Sequence, residues 1–144
     1  KIFNELIANK IKIIFLQINL RREVMIYEYG GTGGEKLDYV YGIQSIALRA
    51  GANVDQNTIN GIAYGGDGGN DCGTLTLEAG EYINGIHGRS GANIDQVTFV
   101  TNRGKILVGG DGGGGDPFSI APIKLKGIGG RSGSNIDRLK FDCE

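Results

Sequence analysis

From Val24 onward, hydrophobic and polar residues alternate in short segments that clusters of glycine separate. The segment after Asp95 is typical, because Val97 and Phe99 alternate with Gln96 and Thr98. A period of two places every second side chain on one face, which predicts a strand with one buried face. Glycine clusters between such segments predict tight turns. The pattern therefore predicts an all-β chain of many short strands.

One segment of the pattern occurs three times. The sequence "GRSGANID" (88–95) returns as "GRSGSNID" (130–137), and "LRAGANVD" (48–55) is a looser copy. The aspartates that end the copies lie 40 and 42 residues apart. When they are superimposed, matching positions recur before and after them: Ile46, Ile86 and Ile128; Arg49, Arg89 and Arg131; Asn57, Val97 and Leu139; Ile59, Phe99 and Phe141. The chain is therefore three copies of one β unit.

A glycine loop recurs as often as the aspartate turn. "YGGTGG" ends at Gly34, "YGGDGG" at Gly69 and "VGGDGG" at Gly113. Only seven residues follow Asp137, whereas the first glycine loop has no aspartate before it. We expect the strand at 24–29 to complete the third unit, which closes the chain and removes exposed sheet edges. This predicts three antiparallel sheets around a pseudo-threefold axis, arranged as a prism or as a three-bladed barrel.

Composition and charge exclude several functions. The chain has 144 residues, which suits one domain, and a formal net charge of −1. No basic run is dense enough for nucleic acid or a membrane surface. A single histidine leaves little for a zinc site or a catalytic triad, so we expect no metal and no cofactor. Whether Cys72 and Cys143 form a disulfide stays open.

Residues 1–23 are expected to be a leader or extension, helical or strand-like, before a domain at 24–144. The apolar stretch 11–20 contains Lys12, Gln17 and Asn19 and is too short to span a bilayer. It is followed by Arg21 and Arg22 without a small-residue cleavage site, so it is a poor signal peptide. Secretion and a cytoplasmic location both stay open.

The two repeated loops suit the binding of a sugar. Glycine leaves backbone amides uncovered, so a glycine loop can form a concave nest for an electronegative atom. The aspartate turn adds a carboxylate acceptor beside backbone N–H donors, which matches adjacent hydroxyls that donate and accept at once. No nucleophile–base pair accompanies the aspartates, and hydrolysis of a glycoside needs two carboxylates. We therefore expect a binding site and no enzyme.

Six motif copies in this order resemble the jacalin-related lectins, and most closely the branch with three sugar sites. The likeness covers about residues 24–144, including "TNRGKILVGGDGG" and "DPFSI" around the third glycine loop. It implies a β-prism I fold, with three four-stranded antiparallel Greek-key-like sheets, and recognition of mannose- or glucose-type sugars. Its implied sugar-binding residues are Gly34 with Asn135, Ile136 and Asp137; Gly69 with Asn53, Val54 and Asp55; and Gly113 with Asn93, Ile94 and Asp95.

In that branch a tyrosine lies two residues before each aspartate, where this chain has asparagine. Asp67 and Asp111 also add negative charge to two glycine loops. The implied partners are mannose- or glucose-containing glycans, and a homodimer formed by exchange of the N-terminal strand is a further option.

Two other functions stay open. "GGDGGND" (65–71) is similar to the turns of calcium-binding β-rolls. A β-prism that serves as an interaction module without sugar binding is the second.

Overall fold

The structure is a computed structural model that describes residues 2–20 and 24–144. The expected domain boundary after residue 23 and the pair Arg21 and Arg22 lie outside the described residues. One helix and twelve strands form within this part of the chain. They are α1 (Ile2–Leu20), β1 (Met25–Gly30), β2 (Glu35–Tyr41), β3 (Ser45–Ala50), β4 (Val54–Ile59), β5 (Ile62–Gly65), β6 (Asn70–Thr76), β7 (Ile83–Ser90), β8 (Ile94–Thr101), β9 (Ile106–Gly109), β10 (Asp116–Ile120), β11 (Leu125–Ser132) and β12 (Ile136–Cys143).

The strands form three four-stranded antiparallel sheets. The first sheet has the order β1-β12-β11-β2, the second β5-β4-β3-β6 and the third β10-β7-β8-β9. In the second sheet, β3, β4 and β5 follow one another and β6 returns beside β3, which is a Greek key. The third sheet repeats this order with β7 to β10. Three separate sheets confirm the prediction of a β-prism and decide against the barrel.

The first sheet is built from both ends of the domain. β1 pairs antiparallel with β12, from Met25 opposite Cys143 to Gly30 opposite Arg138. β12 also pairs with β11, and β11 pairs with β2. The expected closure of the chain is therefore confirmed. It brings the first glycine loop, between β1 and β2, beside the last aspartate.

The alternating residues of the three units form one core between the sheets. Ile46, Ile86 and Ile128 are at most 1% exposed, and Phe99 meets Phe141 edge-on with ring centroids 6.2 Å apart. Full burial of such side chains stabilises a fold by about 1.5–3 kcal/mol each. Both cysteines are free thiols, with Cys143 buried, so the structure has no bridge between them.

The helix α1 carries many exposed hydrophobic side chains. They are 44–75% exposed and comprise Ile2, Phe3, Leu6, Ile7, Ile11, Ile13 and Ile14. No helix in the described part of the chain is long and apolar enough to cross a membrane. Of the two structures expected for this stretch, the helix is observed. Its separation from the twelve strands as a distinct unit stays a prediction.

Candidate functional site

Each aspartate turn joins the two central strands of its sheet. The pairing of these strands shifts register next to the arginine of the motif, between Arg49 and Ala50 in the second sheet. The same shift occurs at Arg89 and at Arg131. A backbone hydrogen bond closes each turn: Gly51 N to Asn53 O (3.0 Å), Gly91 N to Asn93 O (3.0 Å) and Gly133 N to Asn135 O (2.9 Å). The repeated octapeptide thus combines a register shift in the strand pairing with a closed turn, and together they set the direction of the residues that follow.

A buried residue anchors each turn directly before its aspartate. Val54, Ile94 and Ile136 are at most 1% exposed, and each begins the strand that follows the turn. Side chains alternate between the two faces of a strand. Each aspartate therefore points away from the core. All three aspartates are half-buried.

Two glycines of a glycine loop lie directly against each carboxylate. A Cβ atom at Gly33 would lie 2.7 Å from Asp137 Oδ1, and one at Gly34 would lie 2.5 Å from Asp137 Oδ2. At Asp55 the same places belong to Gly68 (2.7 Å from Oδ1) and Gly69 (2.6 Å from Oδ2). A side chain would fill this space, so glycine keeps the carboxylate accessible. We call each aspartate with its two glycines a cup.

The third cup corrects the assignment of Gly113. Here Gly114 and Gly115 occupy the places beside Asp95, at 2.7 Å from Oδ1 and 2.5 Å from Oδ2. Gly115 has φ +68°, which matches φ +69° at Gly34 and φ +70° at Gly69. A Cβ atom at Gly113 would approach Asp111 instead, at 3.3 Å. Two offsets of one residue move the equivalent position from 113 to 115. Gly110 takes the place of Gly30 and Gly65 against the backbone carbonyl of its aspartate, and the loop that follows is one residue longer than in the other two units.

The arginines of the motif brace the glycine loops. Arg131 Nε and Nη2 donate to the carbonyls of Gly33 (3.0 Å) and Gly34 (2.8 Å). Arg49 does the same with Gly68 and Gly69, and Arg89 with Gly114 and Gly115. The planar guanidinium donates two bonds in fixed directions, so it holds both glycines at once. The three arginines therefore have a structural role in the loops.

The asparagines connect neighbouring cups in a ring. Their amides are assigned with Nδ2 toward the carboxylate, because this orientation alone pairs donors with acceptors. Asn53 Nδ2 then lies 3.2 Å from Asp95 Oδ1, and Asn93 Nδ2 lies 3.2 Å from Asp137 Oδ1. Asn135 Nδ2 closes the ring at 3.1 Å from Asp55 Oδ1. Each second amide hydrogen binds the carbonyl of the preceding residue.

The ring places the three cups side by side at one end of the prism. Two glycine loops also touch the next turn directly, since Gly31 packs on the backbone of Ala92 and Gly66 on that of Ser134. An asparagine amide thus lies between each carboxylate and the next turn of the ring. The carboxylate of Asp111 accepts a hydrogen bond from Gly113 N (3.1 Å) within its own loop.

The alternative of a calcium-binding β-roll is wrong, because the architecture differs from a β-roll. The segment 65–71 is the loop between β5 and β6 and the first residues of β6, within a Greek key, and it begins no tandem coil. Asp71 Oδ1 accepts a hydrogen bond from Gly73 N (2.9 Å). Among the described residues, no three His, Cys, Asp or Glu side chains group closely enough to hold a metal ion.

Sequence reasoning missed two features of the cups. Gly114 and Gly115 were overlooked because residues 112–115 are four glycines, in which no side chain marks the register. The asparagine ring was overlooked because each bond joins turns about 40 residues apart. The recurrence of asparagine at all three turns is the sequence signal of the ring, although comparison with the tyrosine of the three-site branch indicates only a lost aromatic.

Comparisons with known proteins agree with this architecture. Residues 26–141 match the family of the Jacalin-like lectin domain. Griffithsin from Griffithsia sp. (strain Q66D336) is 38% identical over 98 residues, which cover 68% of this chain and 78% of griffithsin. The wild-type Malaysian banana lectin structure has a TM-score of 0.71 at 29% identity, covering 85% of this chain and 99% of that chain.

A further solved structure shows the same fold. The likeness to AcmJRL, a mannose-binding jacalin-related lectin from Ananas comosus, has a TM-score of 0.68 at 24% identity and covers 83% of this chain and 96% of that chain. The three sheets and the match over most of the domain lead to one assignment. The chain belongs to the jacalin-like lectin family.

Proposed function

We propose that the three cups bind mannose- or glucose-type sugars, one hexose to each cup. One observation carries the proposal: three half-buried carboxylates lie in the same way against two bare glycines, at one end of the prism. A carboxylate accepts hydrogen bonds from two adjacent hydroxyls, and charge-assisted bonds of this kind contribute about 1.5–3 kcal/mol each when shielded from water. Family membership supports this chemistry.

In each cup the aspartate would accept from the 4- and 6-hydroxyls of the sugar. The backbone amides of the two residues before it would donate to the ring oxygen and the 6-oxygen. These residues are Asn53 and Val54, Asn93 and Ile94, and Asn135 and Ile136. The last glycine would approach the 3-hydroxyl, and this glycine is Gly34, Gly69 or Gly115. Each cup offers a single aspartate, whereas hydrolysis of a glycoside needs a pair of carboxylates, which favours binding without hydrolysis.

The side-by-side cups favour a branched glycan as the natural ligand. Two or three arms of one glycan bound at once gain from effective concentration, by about 10²–10⁴-fold where the geometry fits. Self-association would add more cups. Exchange of β1 between two chains is compatible with its place at the edge of the first sheet. Light scattering at micromolar concentration tests this, and a purely monomeric mass would contradict it.

A glycan array tests the function directly. The wild type is compared with the variant Asp55→Ala/Asp95→Ala/Asp137→Ala, each with and without EDTA. Asp38→Ala is the control, since the Asp38 side chain is 94% exposed and lies outside the cups. Circular dichroism checks that all variants fold. We expect mannose-rich glycans to bind the wild type and control, in EDTA as well, and not the triple variant. Equal binding by all three proteins would contradict sugar binding at the cups, and no binding by any of them would favour an interaction module without sugar binding.

A further inference from the structure

The outer face of the first sheet carries a groove beside the Asp137 cup. Its volume is about 240 Å³, and its lining includes Lys36, Arg131, Arg138 and Lys140. Thr32 forms part of the same wall. Thr32 belongs to the glycine loop of the Asp137 cup, and Arg131 braces Gly33 and Gly34 in that cup. The groove and the cup therefore share a wall.

The pairing of the strands brings the four cations together. Arg131 on β11 lies opposite Arg138 on β12 and opposite Lys36 on β2. Lys140 lies two residues beyond Arg138 on the same face. The side chains of Arg138 and Lys140 are only 22% and 27% exposed. They are held in place along the sheet and do not extend freely into water.

The other two sheets provide an internal comparison. The second sheet has a similar groove of about 210 Å³, but there Arg49 lies opposite Gln56 and Asp71, and Thr58 replaces Lys140. In the third sheet, Arg89 lies opposite Gln96 and Pro117. Arg138 also braces the first glycine loop, since its Nε and Nη2 donate to the carbonyls of Gly31 (2.9 Å) and Gly30 (3.3 Å). Glutamine takes its place in the other two sheets, so the repeated fold requires only the arginine of the motif. The other three cations are specific to the first sheet.

Carboxylates neutralise this cluster incompletely. Glu28 lies 2.9 Å from Arg138 Nη1 and 3.4 Å from Lys140 Nζ. The exposed Asp38 lies 3.9 Å from Lys36 Nζ. The guanidinium groups of Arg131 and Arg138 also bind backbone carbonyls of the glycine loop, which carry no net charge, so among the described residues four cations face two carboxylates. In the second sheet, Arg49 is balanced by Asp71, so its groove carries no such excess.

We propose that this groove is an anion subsite of the Asp137 cup, which binds a sulfate ester or a uronic carboxylate on an acidic glycan. Arginine and lysine donors recognise such oxyanions by charge-assisted hydrogen bonds. The sugar that carries the anion would adjoin the hexose in the cup, because the two sites share Thr32 and Arg131. Recognition of an acidic glycan rests on the proposed sugar site, whereas binding of a free anion in the groove does not.

The first test uses inorganic sulfate on the full chain at constant ionic strength. In an NMR titration we expect saturable shifts of the Nε–H signals of Arg131 and Arg138, and none at Arg49 or Arg89. The variant Arg138→Gln/Lys140→Thr carries the residues that the second sheet has at these positions, Gln56 and Thr58. In this variant the Nε–H signal of Arg131 should no longer shift with sulfate. Gln96 reaches a glycine-loop carbonyl (Gly110 O, 3.4 Å) in the third sheet, so glutamine suits position 138. Equal responses at all arginines, or none, would overturn the subsite.

The second test compares an oligomannoside with its sulfated and uronic acid derivatives. The amides of Gly33 and Gly34 report the Asp137 cup, and those of Gly68 and Gly69 report the Asp55 cup. We expect a gain of about tenfold in affinity from the anion at the first pair alone, lost in 0.5 M salt because screening shortens the Debye length. The derivative with the larger gain identifies the source of the anion.

The outcomes of these tests distinguish a failure of the anion subsite from a failure of the sugar sites. A gain at every cup, or at none, would overturn the anion subsite while leaving the sugar sites intact. Sulfate binding at Arg131 and Arg138 without any response to the neutral oligomannoside would support the anion site and contradict the proposed function. The gain is measured as the ratio of the affinities for the sulfated and the neutral oligomannoside. We expect Arg138→Gln/Lys140→Thr to lose it. A ratio unchanged by this variant would overturn the subsite.

Discussion

Asn53 donates a hydrogen bond from Nδ2 to Oδ1 of Asp95, which belongs to the next unit of the chain and lies 3.2 Å away. The bond makes a residue of one turn part of the neighbouring cup. Because the same bond recurs from Asn93 to Asp137 and from Asn135 to Asp55, the three cups form a closed ring. A substitution in one turn should therefore be felt most strongly in the next cup.

The first prediction concerns the direction of this effect. Asn53→Ala should weaken sugar binding at the Asp95 cup more than at the Asp55 cup. The lost bond to a charged acceptor at a half-exposed site is worth about 1 kcal/mol, or about fivefold in Kd. NMR titration with methyl α-mannoside measures both cups in one sample, through the amides of Gly115 and Gly69. A larger loss at the Asp55 cup would show that Asn53 acts within its own turn.

The second prediction separates Gly115 from Gly113. Gly115→Ala should abolish binding at the Asp95 cup, because its φ of +68° disfavours a side chain and the new Cβ would lie 2.5 Å from Asp95 Oδ2. Gly113→Ala is the matched control, with its Cβ 3.3 Å from Asp111 Oδ1. Calorimetry should find two sugars bound by the first variant and three by the second. The reverse result would restore Gly113 to the site.

These two predictions show where sequence information was sufficient. The aspartate turns were placed correctly because eight nearly identical residues fix their register, and buried Val54, Ile94 and Ile136 hold them. The third glycine position lies at 115 and not at the predicted 113, because the glycines at 109–110 and 112–115 offer no side chain that would fix the register of the loop. Local patterns thus define the turns, whereas a uniform stretch does not define its own register.

Contacts between units were beyond the sequence for a different reason. The bond from Asn53 to Asp95 and the row of Lys36, Arg131 and Arg138 depend on strand register across residues far apart in the chain. The closure of β1 onto β12 was predictable because an incomplete last unit needed a partner strand. The side chains that this closure brings together were not predictable, since they depend on the exact register of the paired strands.

The third prediction concerns a defect in the core. Asn57 is 3% exposed, and its Oδ1 has no hydrogen-bond partner among the described residues. Val97 occupies the equivalent place in the third sheet. Asn57→Val should raise the free energy of unfolding by about 1–2 kcal/mol, because an unsatisfied buried polar atom is removed. Urea denaturation measures this, with Asn57→Ala as a control that leaves a cavity. An unchanged or lower midpoint for Asn57→Val would contradict it.

The fourth prediction is a dependence of stability on acid. Hydrogen bonds from Glu78 N, Thr101 and Lys105 lower the pKa of the enclosed Glu81 carboxyl from 4.5 to about 2. Because this pKa is lower in the folded state, the stabilisation is complete above pH 4.5 and is lost as the pH falls toward 2. Urea midpoints between pH 6 and pH 2 measure it. Glu81→Gln should flatten this dependence, and an equal slope in both proteins would contradict the assignment.

The central claim is that the chain has three equivalent sugar sites, and one titration tests it most directly. The full chain is titrated with methyl α-mannoside while NMR follows the amides of Gly34, Gly69 and Gly115, with methyl β-galactoside as the control sugar. We predict saturable shifts at all three glycines with similar Kd values in the millimolar to high micromolar range. No saturable shift at any of the three would contradict the account.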